Sequence, residues 1–168
     1  MDESESLDAI SALLSELAEK PYDISLHIKH IQQCAETMVA QVHLAREMFV
    51  GYFAAGEEVW IPLIEAKQNS EDLESRVGLE RVLDLFERAE GDYLCGCGLA
   101  SRVENQIKYS LTAFPILQKH VEFLVSRHAH FASHDINAGE LGELFSTEWT
   151  RSAISSVVSK GIGHLQQA

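Results

Sequence analysis

Apolar residues recur three or four positions apart along most of the chain, which is the spacing of an amphipathic α-helix. The first set follows an acidic start, "MDESES", and consists of Leu7, Ile10, Leu13, Leu14 and Leu17. Pro21 ends this leading helix, and Asp23 supplies an N-terminal cap for a second one. The predicted inward face of the second helix consists of Ile24, Ile28, Ile31, Ala35 and Met38.

The same spacing continues and predicts further helices joined by short turns. One helix ends near Gly56, and Pro62 is placed in the first turn of the next. Ser70 is the predicted cap of a fifth helix that Gly91 closes, and Pro115 marks the start of a seventh. Sustained strict alternation between hairpin turns is missing from the sequence, so the predicted fold class is all-α.

Each of the later predicted helices has its own apolar face. The faces are Val42, Ala45, Phe49 and Phe53 in the third; Trp60, Leu63 and Ile64 in the fourth; Leu73, Val77, Val82, Leu83 and Phe86 in the fifth; Leu94, Leu99, Val103 and Ile107 in the sixth; Leu117, Val121, Leu124 and Val125 in the seventh; and Leu141, Leu144, Phe145, Trp149, Ile154, Val157, Val158 and Leu165 in one or two closing helices.

Length and charge restrict the classes of function. The 168 residues are 46% hydrophobic and carry a net charge of −13, which indicates an ordered protein and disfavours direct binding to nucleic acid. The longest apolar runs are shorter than the ~20 residues of a membrane span. Three cysteines, two of them one residue apart at Cys95 and Cys97, favour a reducing compartment, nuclear or cytoplasmic.

Two segments share a pattern that predicts a helical repeat. Aligning "LAREMF" with "VLDLFERA" on Phe49 and Phe86 gives an offset of 37 residues, and a predicted break and a new helix follow each. Pairs of helices repeating every ~34 to 40 residues are typical of solenoids, in which each hairpin buries its face against the next. The predicted organisation is an acidic tail over 1–6 and a repeat array over 7–168, with a leading helix at 7–20 and hairpins from about 21.

The residues of these segments resemble HAT (half-a-TPR) repeats. The typical second helix reads Ala-Arg-x-Ile-Phe/Tyr-Glu-Arg-Ala, and the stretches "HLAREMF" and "LFERAEGDYLC" resemble this pattern. The typical first helix has Trp followed by an acidic residue near its end, and Trp60 with Glu65 in "EEVWIPLIEAKQ" fits it. The chain is most similar to the N-terminal HAT region of the U4/U6 snRNP recycling factors, the group that contains squamous cell carcinoma antigen recognised by T cells. The matching positions are Tyr22, Ala45, Arg46, Phe49, Trp60, Glu65, Phe86, Glu87, Arg88, Ala89 and Tyr93.

The resemblance implies a right-handed α-α superhelix of TPR-like hairpins and a non-enzymatic scaffold in the nucleus. Its partner would be a protein of RNA processing, with pre-mRNA splicing and snRNP assembly as the implied process, and a homodimer stays open. The resemblance implies no cofactor. The tryptophan typical of the third hairpin is missing near Cys97, and Leu141 stands where another is typical.

Two other functions remain open at this stage. A helical bundle could bind a metal or cofactor through the cluster from His120 to His134, with Cys95 and Cys97 as soft ligands. Against this, the sequence has no Cys-x-x-Cys or His-Glu-x-x-His motif, and it has no Gly-rich phosphate loop. The third reading is a TPR-like adaptor unrelated to RNA.

The large aromatic residues and the acidic residues can also be interpreted as purely structural. Large aromatic residues at helical spacing are usually core, so Trp60 and Phe86 are predicted to be buried, and a peptide-binding hot spot is the alternative. The acidic residues Glu80, Asp84, Glu87 and Glu90 are predicted to form a solvated helix surface, which could also receive a basic partner segment.

Overall fold

The structure, a computed structural model, describes the backbone of residues 3–96, 103–133 and 144–167 and the side chains of 7–92, 115–133 and 144–163. These residues form seven α-helices and one short 3-10 helix, without a strand among them. The α-helices are α1 (Glu3–Glu19), α2 (Ile24–Thr37), α3 (Val42–Tyr52), α4 (Glu57–Ser70), α5 (Arg76–Gly96), α6 (Val103–Ser133) and α7 (Thr147–Gln167), and the 3-10 helix is Val39–Gln41. The all-α prediction is confirmed for the described residues.

The chain divides into two compact units. The first is Met1–Ala55 and the second is Gly56–Ala168. Within the first unit, α2 packs against both α1 and α3. Within the second, α4 packs against α5 and α6, α5 packs against α6, and α6 packs against α7.

The first unit is built around a small apolar cluster. Its buried members are Ile10, Cys34, Val42 and Ala45, with Ile31 and Met38 packed against them. Asp23 caps α2 as predicted, since its Oδ1 accepts hydrogen bonds from the backbone N–H groups of Ser25 at 2.9 Å and Leu26 at 3.3 Å.

The face that α2 buries differs from the predicted one. The buried residues are Leu26, His27, His30 and Cys34, whereas Ile24, Ile28 and Ala35 are exposed and Ile31 is half-buried. Both faces have helical spacing, and the purely apolar one gave the stronger sequence signal. The helix instead turns the polar face inward, so the predicted inward face was wrong for Ile24, Ile28 and Ala35, whereas Ile31 and Met38 pack against the apolar cluster as predicted.

The second unit has the larger apolar core. Its most deeply buried side chains come from α4, α5 and α6, and they are Trp60, Leu63, Ile64, Leu79, Val82, Phe86, Ile116 and Leu124. The helices α4, α5 and α6 therefore share one interior. Val77, Val125 and Val158 were all predicted to be inward, and all three are exposed.

The connection from α4 to α5 lies later than the sequence indicated. Ser70 is the last residue of α4, and Ser75 caps α5 by accepting a hydrogen bond from the Gly78 N–H at 3.1 Å. Leu73 accordingly precedes α5. Position 78 requires glycine because a Cβ there would clash with the backbone carbonyl of Asp72.

Three further helix boundaries correct the sequence prediction. Pro62 lies in the second turn of α4, Gly91 lies inside α5, and Pro115 lies inside α6. The helix α5 thus continues to Gly96 after Phe86, whereas α3 ends at Tyr52, soon after Phe49. The two aligned segments end differently, so the predicted break after Phe86 was wrong. Of the predicted sixth helix, Leu99 lies outside the described residues, as does Leu141 of the closing helices.

The turn that leads into α7 is fixed by two contacts. Phe145 has a positive φ of 68° and packs its ring against Trp149, with ring centroids 4.9 Å apart. The His128 Nδ1–H donates a hydrogen bond to the Phe145 carbonyl at 2.8 Å. Left-handed backbone is costly for a bulky residue, so these contacts hold α7 at its start.

Candidate functional site

Two of the predicted signature residues of the second unit, Trp60 and Arg88, meet where α4 packs against α5. Trp60 is fully buried, and its Nε1–H donates to Asp92 Oδ2 at 2.8 Å. The guanidinium of Arg88 lies 5.5 Å from the centroid of the Trp60 ring, at cation-π distance. Phe86 and Ala89 are also fully buried. Within the "FERA" segment of α5, Arg88 therefore contacts the tryptophan of α4, and Phe86 and Ala89 are buried in the same unit.

The remaining signature residues of this unit lie nearer the surface. Glu65 is exposed and accepts a hydrogen bond from Lys119 Nζ at 2.6 Å, an ion pair that links α4 to α6 above a cleft of about 250 Å³. Glu87 is exposed as predicted. Tyr93 belongs to α5, but its side chain lies outside the described ones.

In the first unit, the signature residues surround a second aromatic group. Ala45 is buried in the apolar cluster, and Arg46 is half-buried. Phe49 is half-buried against the His27 ring, with centroids 6.0 Å apart. Tyr22 is largely exposed and meets Tyr52 edge to face at 5.6 Å. The Phe49 and Phe86 environments differ in burial, although each aromatic ring lies against a buried histidine.

The most polar feature of the interior is Glu90, which joins three helices of the second unit. Its side chain is 1% exposed, and its two oxygens accept hydrogen bonds from His120 Nδ1–H on α6 and from Lys160 Nζ on α7, both at 2.6 Å. The His120 ring stacks on Phe86, with centroids 4.5 Å apart and planes within 6°. Glu90 is thus a fixed ion-pair partner inside the junction of α5, α6 and α7.

The same contacts set the charge of Glu90. Burial acts to raise the pKa of this carboxyl, but the hydrogen bonds from His120 and Lys160 outweigh it, so the pKa is lowered. The carboxylate is therefore ionised at neutral pH. Both of its oxygens are engaged by protein donors, which suits a structural anchor better than a group that exchanges protons with a substrate.

Sequence reasoning placed Glu90 on the solvated face, and this was wrong for Glu90 alone among Glu80, Asp84, Glu87 and Glu90. A signal was available. Glu90 lies four residues after Phe86 and eight after Val82, which places it on the buried stripe of α5. A carboxylate at such a position requires a cationic partner on a neighbouring helix.

The first unit also buries polar side chains, but with fewer partners. His27 Nε2–H donates to the Pro21 carbonyl at 2.9 Å. Among the described residues, neither His27 Nδ1 nor His30 Nδ1 has a hydrogen-bond partner. Burial, and secondarily the neighbouring His27, lowers the pKa of His30, so this ring is neutral at pH 7. Burial also raises the pKa of the Cys34 thiol.

The histidines proposed as metal ligands have separate partners. His120 donates to Glu90, His128 donates to Phe145, and His130 Nε2 pairs with Glu74 at 2.8 Å. In the part of the chain with described side chains, three or more His, Cys, Asp or Glu residues nowhere converge in a geometry suited to a metal ion. His134 and Cys97 lie outside the described residues, and the Cys95 side chain is not described.

Comparisons with known proteins add no relative. Neither the family models, nor the curated proteins, nor the solved structures gave a match to this chain. Among the described helices, none combines the length and the apolar character that crossing a membrane requires.

Proposed function

We propose that the chain is a non-enzymatic helical-repeat scaffold of the HAT type that binds a protein partner in RNA processing. The process suggested by the resemblance is pre-mRNA splicing or snRNP assembly in the nucleus. In this proposal the helices stack as hairpins in a right-handed superhelix, and the partner is a protein rather than RNA because the chain carries a net charge of −13.

The observation that carries the proposal is the contact between Trp60 and α5. Two of the residues that gave the HAT resemblance, Trp60 and Arg88, are in contact where α4 meets α5, and Phe86 and Ala89 of the same segment are buried. A repeat signature has this property, because the residues that recur are those that hold one helix of a hairpin on the other.

The packing order of the helices gives further support. In each unit, every helix contacts the next along the chain, and α4 also contacts α6, the helix two positions ahead. Contacts between nearest neighbours are the pattern of stacked hairpins. The departure at α5, which continues beyond Gly91, makes the segment after Phe86 the least regular part of the proposed array.

The mechanism would be geometric. The large apolar core of the second unit holds α4, α5 and α6 together, and the hydrogen bonds that Glu90 accepts from His120 and Lys160 join α5 to α6 and α7, so that the outer faces form a rigid surface. A preorganised surface loses little conformational entropy on binding, and affinity then comes from many modest contacts. Trp60 and Phe86 would contribute by fixing the surface instead of touching the partner.

Crosslinking in a splicing-competent nuclear extract tests this proposal. The purified chain would be crosslinked to its neighbours, the products treated with ribonuclease, and the proteins identified by mass spectrometry. The matched control is a helical protein of similar size and similar negative charge, because acidic proteins collect basic RNA-binding proteins without specificity.

We expect snRNP or other RNA-processing proteins to be enriched over the control after ribonuclease treatment. Enrichment of an unrelated set of proteins would remove the role in RNA processing and leave an adaptor of TPR type. Loss of all enrichment after ribonuclease treatment would contradict a protein partner.

A further inference from the structure

The helix α2 has an apolar stripe that faces away from the core except at Ile31, which packs against the apolar cluster of the first unit. Ile24, Ile28, Ile31 and Ala35 are spaced at i, i+4, i+7 and i+11, which places them on one side of the helix. Ile24 is 49% and Ile28 is 45% exposed, Ala35 is exposed, and Ile31 is half-buried. These four residues are named the isoleucine stripe.

The buried side of the same helix carries polar residues. His27 and His30 are turned inward, and each has a ring nitrogen without a hydrogen-bond partner among the described residues. Burying such nitrogens costs free energy, and exposing isoleucines forgoes the gain from their burial. This arrangement is expected when another surface covers the apolar side of the helix, because exposed apolar rows mark sites of interaction.

Charge indicates what covers the stripe. Residues 1–55 contain nine acidic and three basic residues, and α1 has five acidic residues and no basic one. A second copy of this chain would bring the same negative charge and be repelled, whereas a basic segment would be attracted. An open pocket of about 550 Å³ lies at the Ile24 end of the stripe, and its lining includes the carboxylates of Glu19 and Asp23 together with one cation, Lys20.

We propose that the isoleucine stripe is the docking site for a basic amphipathic helix of a partner protein. Apolar side chains on one face of that helix pack against Ile24, Ile28 and Ala35, and its lysine and arginine residues face the acidic surface of the first unit. This is the helix-on-helix mode of recognition, read by apolar anchors three and four positions apart. The inference rests on the proposed scaffold function, for which it names a surface and the chemistry of the partner.

The test uses two synthetic helical peptides of about 20 residues, long enough to form helix in solution. Both carry the same leucine face, one with lysine and arginine elsewhere and the other with glutamate. Binding to the full chain is measured by fluorescence anisotropy. The variant Ile24→Glu with Ile28→Glu removes the stripe, and Val158→Glu with Ile162→Glu on α7 is the matched control, since those residues are 46% and 50% exposed at the same spacing.

The glutamate variant separates packing from charge. Two added carboxylates strengthen the electrostatic attraction for a basic peptide, so only the loss of apolar contact explains weaker binding. We expect the basic peptide to bind about tenfold more weakly to Ile24→Glu/Ile28→Glu than to the unaltered chain, and to be unaffected by the α7 control. The acidic peptide should bind about tenfold more weakly than the basic one. Circular dichroism checks folding, and Ile24→Asn/Ile28→Asn replaces the first variant if that variant unfolds.

Four results would overturn the docking site. They are no saturable binding of the basic peptide, equal affinity for both peptides, equal loss in the α7 control, and a dimer in analytical ultracentrifugation that the stripe variant abolishes. The outcome is separable from that of the scaffold proposal. If the unaltered chain and the stripe variant crosslink equally to RNA-processing proteins, the stripe is not the docking site and the proposed function stands. If peptide binding depends on the stripe but no RNA-processing protein is crosslinked, the docking site stands and the proposed function does not.

Discussion

The two units bury histidines in opposite ways. In the second unit, His120 is stacked on Phe86 and bonded to Glu90, whose other oxygen is held by Lys160. In the first unit, His27 and His30 are as deeply buried, but each has a ring nitrogen without a partner among the described residues. A buried polar group costs little when it is fully paired and several times more when it is not.

This difference has a physical consequence for stability. The second unit has a large aromatic core in which both oxygens of Glu90 are paired, so its helices should open together and only under strong perturbation. The first unit has only a small apolar cluster, so it should open more readily. Buried polar atoms without a partner among the described residues occur in both units, for example at His30 in the first and at Thr150 in the second. Hydrogen exchange measured by mass spectrometry resolves the two units and tests the contrast segment by segment.

The largest expected effect is the loss of Trp60. Trp60→Ala removes a fully buried indole together with its hydrogen bond to Asp92, and should lower the free energy of unfolding by ~3 to 5 kcal/mol. Trp149→Ala, at a half-buried indole in the same unit, should cost clearly less. Urea titration followed by circular dichroism measures both. An unchanged transition in the Trp60 variant would show that α4 does not depend on this contact.

The next effect concerns the paired carboxylate. Glu90→Ala leaves His120 and Lys160 without their common partner and should cost about 2 to 4 kcal/mol, below the full cost of a broken buried pair because Lys160 is partly exposed and can return to water. Glu87→Ala, three residues earlier on the exposed side of α5, is the matched control and should change stability by less than ~0.5 kcal/mol. Similar losses in the two variants would contradict the anchoring role.

The sign of the pH dependence follows from the lowered pKa of Glu90. A carboxyl that is more acidic in the folded state stabilises the fold above its unfolded pKa of about 4.3, and this contribution is lost as pH falls through the lower folded value. The stability difference between the unaltered chain and Glu90→Gln should therefore shrink below about pH 4. A difference that stays constant down to pH 2 would show that Glu90 is not charged in the fold.

The first unit should respond to much milder acid. The pKa of His30 is lowered by burial, so the unfolded state binds a proton near pH 6.5 while the folded state does not. Stability of this unit should fall as pH drops below that value. His30→Leu removes the loss and should stabilise the unit by up to ~1 kcal/mol at about pH 5.5, with a smaller gain at pH 8.

Hydrogen exchange in α2, corrected for the intrinsic rate at each pH, measures this effect. His43→Leu, at a half-buried histidine on α3, is the matched control for replacing an imidazole by an apolar side chain. An equal gain at pH 5.5 and pH 8 would mean that packing, and not protonation of His30, limits the first unit.

Much of the fold was accessible from the sequence, because helical spacing reports which positions repeat. The all-α class, the cap at Asp23 and the burial of Trp60 and Phe86 were predicted correctly. Glycine and proline were less reliable as signals of helix ends. Gly91 and Pro115 were expected at helix ends and lie inside helices, since packing on neighbouring helices outweighs the modest local cost of such residues.

The polar interior was harder to predict. The sequence could mark Glu90 as lying on the apolar stripe of α5, but it could not show that His120 and Lys160, 30 and 70 residues later, would reach it. On α2 it showed two faces of helical spacing and no way to choose between them. The choice depends on what packs against the helix, and it left Ile24 and Ile28 exposed.

The smallest expected effect tests whether pairing alone explains the contrast between the units. The exposed pair of Lys119 and Glu65 has the same 2.6 Å separation as that of Lys160 and Glu90, but solvent reaches both of its partners. A double-mutant cycle with alanine at both positions should give a coupling energy below ~0.5 kcal/mol, because water and salt screen the exposed pair. The same cycle for Lys160 and Glu90 should exceed about 1.5 kcal/mol at neutral pH, because one partner is buried. Equal coupling in the two cycles would assign the stability of the second unit to its aromatic core and not to the pairing of Glu90 with Lys160.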